Sequence, residues 1–234
     1  MDWIDRAELP ASLSQPVCVL VSGGVDSAVL TWLELQDGWE VQPVYVRTGM
    51  KWEDVEFGWL QQYLAAIATP RLRPLRELAF PLGDIYGSHW SVGGAGRPSF
   101  DAANDADFLP GRNIILISKT AVFCVLHGIE RIASGVLAAN PFPDATDEFF
   151  DTLAMTLSMG LAAPIRIERP FAHLHKRDVV KLGAHLPLEL TFTCNNPVGE
   201  HHCGDCNKCA ERQQGFEEAG VPDRTEYAQA QRRI

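Results

Sequence analysis

A serine- and glycine-rich stretch near the start of the chain has the residue types that bind phosphate. Its sequence is Ser22-Gly23-Gly24-Val25-Asp26-Ser27. Two glycines let the backbone approach a ligand without an intervening Cβ, and a helix beginning here would offer unpaired N–H groups and a partial positive charge. The stretch lacks the lysine of G-x-x-x-x-G-K-[ST], the phosphate loop of NTPases that cleave between the β and γ phosphates. The alternative is a turn that binds no ligand.

A second group of residues suited to phosphate is Pro110-Gly111-Arg112-Asn113, which precedes a long apolar segment. If that segment is a helix, its N-terminus and the guanidinium of Arg112 act on one anion, and a planar guanidinium fits phosphate oxygens. We therefore predict that Gly111 and Arg112 contact phosphate. The alternative is that Asn113 caps the helix and Arg112 lies in solvent.

Residues at two other element ends are placed to meet a nucleotide. Lys176 lies in the first turn of a helix predicted over 175–183, where a cation opposes the helix dipole, so we expect a phosphate beside it. Val46 and Arg47 end a predicted strand beside the glycine loop, where an adenine or ribose would lie. Arg47 could equally be a surface residue.

Four cysteines near the C-terminus have the spacing of a metal site. The pattern C-x8-C-x2-C-x2-C is formed by Cys194, Cys203, Cys206 and Cys209. Four sulfur ligands complete a tetrahedral shell, which predicts a structural Zn²⁺. An iron-sulfur cluster, or disulfides outside the cytoplasm, would use the same residues, and His201 or His202 could replace one cysteine.

The segment after the fourth predicted strand is the candidate substrate-binding region, and we assign Asn140, Asp144 and Glu148 to it. Asp144 lies just past a strand end and could bind the amine edge of a heterocycle. Asp144, Thr146 or Asp147 could instead cap the following helix.

These residues require strands and helices that alternate along the chain and bring the strand ends together. The hydrophobic pattern predicts strands at 17–21, 41–46, 71–78, 132–136 and 164–170. Helices are predicted in between, including 52–67, 114–125 and a short C-terminal one over 210–219. We therefore predict an α/β fold with an open, mostly parallel sheet and helices on both faces. The helix over 114–125 is apolar on nearly all sides, so we expect it to be buried.

The composition of this 234-residue chain limits the partners it can have. A net charge of −10 repels nucleic-acid phosphates, so we expect no nucleic-acid partner. No run of 18 apolar residues is present, and residues 1–5 lack the basic and apolar regions of a signal peptide. We expect a cytoplasmic protein without a membrane partner.

Taken together, three motifs resemble the 7-cyano-7-deazaguanine (preQ0) synthase family of the ATP pyrophosphatase (PP-loop) superfamily. They are the loop at Ser22, the turn at Pro110, and the cysteine segment from Gly199 to Gly220. The resemblance extends from Val17 to about Tyr227 and implies an adenine nucleotide alpha hydrolase-like fold, bound zinc and a homodimer. It divides the chain into an ATP-binding α/β domain, 1–190, and a zinc subdomain, 191–234. The segment 81–107, which has little periodicity, would be a lid or disordered.

The resemblance also implies a reaction, in which 7-carboxy-7-deazaguanine, ammonia and two ATP give a nitrile, AMP and pyrophosphate through an acyl adenylate and an amide. Because carboxylate and triphosphate repel each other, the site must supply positive potential from the loop N–H groups, Arg112, Lys176 and Mg²⁺. Asp26 is the nearest candidate Mg²⁺ ligand. We therefore assign Asp26, Arg112 and Lys176 to catalysis, and the loop 22–27, Val46, Arg47, Gly111 and Arg112 to ATP.

The chain departs from the family pattern at three places near the expected substrate. They are residues 46–50, residues 145–147 and residues 195–197. The motifs expected to carry out adenylation are kept, so these departures put in question only which acid is the substrate. The alternatives are a PP-loop enzyme acting on another acid, a tRNA thiolation enzyme with an iron-sulfur cluster, or a nucleotide-sensing zinc regulator.

Overall fold

The computed structural model describes residues 16–229 of the chain. Within them, five strands form one sheet in the order β3-β2-β1-β4-β5, and every neighbouring pair is parallel. The strands are β1 (Val17–Leu20), β2 (Val41–Arg47), β3 (Arg76–Ala79), β4 (Arg131–Ala133) and β5 (Arg166–Glu168). The predicted α/β class is confirmed. Residues 1–15, which include the segment on which the signal-peptide prediction rests, lie outside the described part, as do residues 230–234.

Helices cover both faces of the sheet, as predicted. They are α1 (Val25–Gln36), α2 (Glu53–Ala66), α3 (Gly83–Tyr86), α4 (Arg112–Leu126), α5 (Asp147–Leu161), α6 (Lys176–Leu182) and α7 (Asn207–Ala219). Because successive strand side chains point to opposite faces, Val17 and Val19 of β1 pack in one core with α1, α2, α6 and α7. Cys18 packs in a second core with α4 and α5. In residues 16–229, no helix combines the length and the apolar character needed to cross a bilayer.

Two sequence expectations about these elements are wrong. The third strand begins at Arg76 rather than 71, because Pro74 has no N–H to donate to the ladder. Helix α4 is not buried on all sides: Val122 and Leu126 are 45% and 77% exposed. Uniform hydrophobicity predicted burial, whereas only one side of α4 faces the sheet.

The segment 81–107 has more structure than its irregular sequence predicts. It contains α3 and two 3-10 turns, and Leu82 and Trp90 pack with Met50 and Trp52. Arg97 donates to the backbone oxygen of Asp205 at 2.7 Å, next to the cysteine segment. That the segment 81–107 acts as a lid stays a prediction, as does the domain boundary at residue 190.

Candidate active site

The glycine-rich loop is a strand-to-helix turn, as predicted, between the end of β1 and the start of α1. Gly23 has φ +76, and a Cβ on it would lie 3.2 Å from the backbone oxygen of Glu56, so this position requires glycine. Ser27 fixes the turn from inside: its hydroxyl donates to the oxygen of Gly24 at 3.1 Å and accepts from the N–H of Ser22 at 3.2 Å. These bonds fix the conformation of the loop at the C-terminal end of β1.

A cavity of about 590 Å³ lies beside this loop, at the C-terminal ends of β1, β2 and β4. The strand order reverses between β1 and β4, which is where open parallel sheets bind ligands. Many of the sequence-predicted site residues line the cavity: Ser22, Asp26, Ser27, Val46, Arg112, Asn140, Asp144 and Lys176. The fold therefore brings together residues that are up to 154 positions apart (176 − 22 = 154).

Other predicted residues do not line the cavity. Gly23, Gly24 and Gly111 contribute backbone to the two turns, and the side chain of Val25 is buried in the core. Glu148 is exposed in the first turn of α5.

Arg47 lies outside the cavity because acidic neighbours hold its guanidinium. It pairs with Asp54 at 2.7 Å and with Glu77, and it lies 4.7 Å from the ring centroid of Phe57. The surface alternative for Arg47 thus describes its position in this structure, whereas Val46 beside it lines the cavity.

Lys176 reaches the glycine-rich loop, where two carboxylates pair with its ammonium group. Its Nζ lies 2.5 Å from Oδ2 of Asp26 and 3.3 Å from Oε1 of Glu211. The other oxygen of Asp26, Oδ1, is buried and has no hydrogen-bond partner among the described residues. Burial raises the pKa of Asp26 above its ordinary value, although Lys176 opposes the shift. An unpartnered carboxylate oxygen on a residue that lines the cavity suits Mg²⁺, which prefers oxygen ligands.

The turn before α4 already holds an anion. Asp144 accepts a hydrogen bond from the backbone N–H of Asn113 at 3.0 Å, and its own backbone oxygen accepts from the Asn113 side chain at 2.8 Å. Thr146, not Asp144, caps α5 through a bond from the N–H of Phe149. The Nε–H of Arg112 is buried, and no described residue accepts a hydrogen bond from it. This guanidinium is the cation best placed to receive an incoming anion.

Sequence reasoning missed three acidic or phenolic side chains of the cavity, Tyr45, Glu53 and Glu56. The hydroxyl of Tyr45 donates to Glu56 at 2.7 Å. Burial raises the pKa of Glu56 to about 8. Glu53 accepts from the backbone N–H groups of Thr48 and Gly49, which fixes the chain after β2. The available signal for the two glutamates was their spacing of three in the first turn of the helix that follows β2.

Gly135 was also missed. It follows β4, and a Cβ there would lie 3.1 Å from the carbonyl carbon of Asp26. Glycine at this position therefore allows the end of β4 to pack against the glycine-rich loop.

The four cysteines form one buried cluster, and their sulfur atoms lie within 4.8 Å of one another. Three of the separations are 3.6, 3.9 and 4.0 Å. Tetrahedral zinc with Zn–S bonds of about 2.3 Å needs sulfurs about 3.8 Å apart, so the cluster fits this ion. His202 is not a ligand here, because its Nε2 accepts the N–H of Thr193 at 2.9 Å.

Comparison with known proteins gives consistent matches. The model of a family described as queuosine biosynthesis protein QueC matches residues 16–220. A protein of Methanopyrus kandleri named 7-cyano-7-deazaguanine synthase is 34% identical, over 89% of this chain and 97% of that one. One of the same name from Methanothrix thermoacetophila is 33% identical, over 92% of this chain and 99% of the other.

Solved structures are more distant. A predicted tRNA methyltransferase subunit from Methanocaldococcus jannaschii is 15% identical, with a TM-score of 0.46 over 73% of this chain and 74% of that one. A 4-thiouridine synthetase in complex with RNA and ATP is 16% identical, with a TM-score of 0.45 over 91% of this chain and 53% of the other.

Proposed function

The chain belongs to the family of queuosine biosynthesis protein QueC, and on that premise we propose that it is an ATP-dependent ligase forming 7-cyano-7-deazaguanine. Its substrates in this proposal are 7-carboxy-7-deazaguanine, ammonia and two ATP. The observation that carries the proposal is the cavity at the switch point of the sheet, where the glycine-rich loop, Arg112 and Lys176 meet.

ATP lies along the loop in this proposal, with its pyrophosphate at Ser22–Ser27 and its adenosine towards Val46 at the end of β2. Lys176 already contacts the loop through Asp26, and the buried Nε–H of Arg112 has no partner in the described chain. Two cations that line the cavity can therefore share the charge that develops on departing pyrophosphate. Asp26 would hold Mg²⁺ through Oδ1, and that ion would supply further positive charge at the phosphates.

The first half of the reaction is adenylation. A carboxylate oxygen of the acid attacks the α-phosphorus, the bond to the β-phosphate oxygen breaks, and pyrophosphate leaves with the bonding electrons. Ammonia then attacks the carbonyl carbon of the adenylate and loses a proton, and AMP leaves to give the amide. The protein's contribution is placement of two mutually repelling anions in line.

The second half converts the amide into the nitrile. The amide oxygen attacks the α-phosphorus of a second ATP, and pyrophosphate leaves again. Loss of AMP, with the two nitrogen-bound protons, leaves the carbon–nitrogen triple bond. Asn140 and Asp144 line the cavity and are the proposed contacts to the heterocycle, while the exposed Glu148 is a proposed contact only through rearrangement of the first turn of α5.

We propose Zn²⁺ as a structural ion, since four thiolates leave no coordination position for a substrate. We also propose a homodimer. Helices α4 and α5 are adjacent, and both expose apolar side chains, with Leu126 and Met159 each 77% exposed. A second copy of the chain is the occupant that would cover this face.

The test of the proposed reaction is incubation with ATP, Mg²⁺, ammonium and 7-carboxy-7-deazaguanine, followed by mass spectrometry. The expected products are the nitrile, AMP and pyrophosphate, with the amide as an intermediate. Formation of ADP instead of AMP would contradict the mechanism. AMP formed only with a different acid would keep the adenylation and change the substrate.

A further inference from the structure

The cysteine segment contacts the phosphate loop directly. The N–H of Phe192 donates to the backbone oxygen of Gly23 at 2.8 Å, two residues before the first cysteine of the cluster. A Cβ on Gly24 would lie 3.6 Å from the hydroxyl oxygen of Thr193. The loop is therefore packed against the chain that leads into the cysteine cluster.

A second connection runs through side chains of alternating charge. Lys176 lies between Asp26 of the loop, at 2.5 Å, and Glu211 of α7, at 3.3 Å. Glu211 uses its other oxygen, Oε2, for Lys208 at 2.9 Å. Because each oxygen of Glu211 has its own ammonium, the carboxylate cannot rotate without breaking an ion pair. Its orientation is fixed by both lysines.

Helix α7 also shapes the path of the lysine stem. A Cβ added to Gly215 would lie 2.4 Å from Cγ of Lys176. Gly215 has no positive φ, so backbone conformation does not require glycine there. Glycine is required because the stem of Lys176 approaches so closely. One helix thus supplies both the space for the stem and the counter-ion for the head group.

Asp26 and Glu211 differ in what a nucleotide would do to them. Asp26 belongs to the phosphate loop and is the proposed Mg²⁺ ligand through Oδ1, so a bound metal ion would share the carboxylate charge that Lys176 meets at Oδ2. Glu211 lies on a different helix, and Lys208 holds it. When Asp26 shares its charge with a metal ion, Glu211 is the anion whose full charge keeps the ammonium at the loop.

We propose that Glu211 is a positioning residue that holds Lys176 at the phosphate loop, with Gly215 providing the space for the lysine stem. The inference rests on the proposed use of ATP at this loop. It assigns to α7, which begins within the cysteine cluster, a part in nucleotide binding as well as in folding.

The experiment is a double-mutant cycle on nucleotide affinity, measured by calorimetry with Mg²⁺ and α,β-methylene-ATP. Glu211→Gln is expected to weaken binding roughly ten-fold in the wild-type background and to have no effect in a Lys176→Met background, because coupled residues are non-additive. Glu217→Gln, an exposed residue of the same helix, is the matched control and should bind like the wild type.

Gly215→Ala tests position without removing a charge. It is expected to weaken nucleotide binding as Glu211→Gln does, and again only when Lys176 is present. If the Glu211 variant does not fold, this variant still tests whether the position of Lys176 matters for binding. Equal weakening with and without Lys176, or unchanged affinity, would overturn the proposal. The binding measurement does not require turnover. A wild type that binds nucleotide but forms no AMP would therefore contradict the proposed reaction, while the double-mutant cycle would still test the role of Glu211.

Discussion

The cations of the cavity differ in whether the protein itself neutralises them. Lys176 lies between two carboxylates, those of Asp26 and Glu211. Arg112, by contrast, has a buried Nε–H without a described partner. A buried donor left unpaired has an energetic cost that an incoming anion removes. Arg112 is therefore the residue at which ligand binding should gain most.

Arg112→Ala is expected to lower the rate of AMP formation by about 10²–10³-fold, since one lost donor to developing charge typically has an effect of this size. The measurement is the steady-state rate of AMP release. Arg166→Ala is the control, because Arg166 lies on the edge strand β5, pairs with Glu130 and does not line the cavity. Wild-type turnover of the Arg112 variant would remove this residue from the mechanism.

Glu56 should make stability depend on pH. Burial raises its pKa from 4.5 to about 8; Arg112 and Arg47 oppose the shift, as does the hydrogen bond from Tyr45, and Glu53 adds to it. A raised folded pKa favours the protonated form in the native state, so this contribution to stability is present below about pH 4.5 and is lost as pH rises through about 8. The slope reaches about 1.4 kcal/mol per pH unit.

Denaturant unfolding at several pH values tests this prediction. Between pH 5 and pH 8 the wild type should lose more stability than Glu56→Gln, which carries no titrating group at this position. Parallel curves for the two proteins would contradict it. Glu148→Gln, an exposed acidic residue, is the control and should follow the wild type.

At the scale of elements, the departures from the family pattern have different structural consequences. Asn195 does not line the cavity; its side-chain amide donates to Asp107 at 2.7 Å and fixes the end of the segment 81–107. Val46 lines the cavity, whereas Arg47 beside it does not. The departure at Asn195 therefore bears on the proposed lid, and the one at Val46 bears on the proposed ligand site.

The cysteine segment is the element whose stability we expect to depend most on a bound ion. Metal analysis of the purified protein is expected to find zinc in a colourless sample, and visible absorption would indicate an iron-sulfur cluster instead. Removal of the ion with a strong chelator should lower Tm by roughly 10 °C, as loss of about 3 kcal/mol does in a chain of this size. It should also weaken nucleotide binding, because Phe192 holds Gly23 of the loop. An unchanged Tm after complete metal removal would contradict a structural ion.

For the whole molecule, the apolar face of α4 and α5 predicts a dimer. Leu126→Asp combined with Met159→Asp should shift the protein to monomers in light scattering, since charges replace side chains that are each 77% exposed. Ile85→Asp, at another exposed apolar site on α3, is the control. A wild-type monomer, or a dimer unaffected by the double change, would refute this interface.

The sequence by itself determined the elements whose signals are local. The loop at Ser22–Ser27, the periodicity of the helices and the spacing of the cysteines each depend on neighbouring residues, so the fold class and the candidate ligand groups could be predicted. The predicted start of the third strand was wrong because one residue, Pro74, interrupts the local pattern.

The tertiary structure alone decided which charges meet. The sequence placed Lys176 on a helix but could not reveal Asp26 and Glu211 as its partners, nor that Asp144 binds the start of α4. A side chain's charge is a property of one residue, whereas its partner depends on how the whole chain folds back on itself. Pairing in the cavity therefore became visible only when β1, α4, α6 and α7 were packed around the end of the sheet.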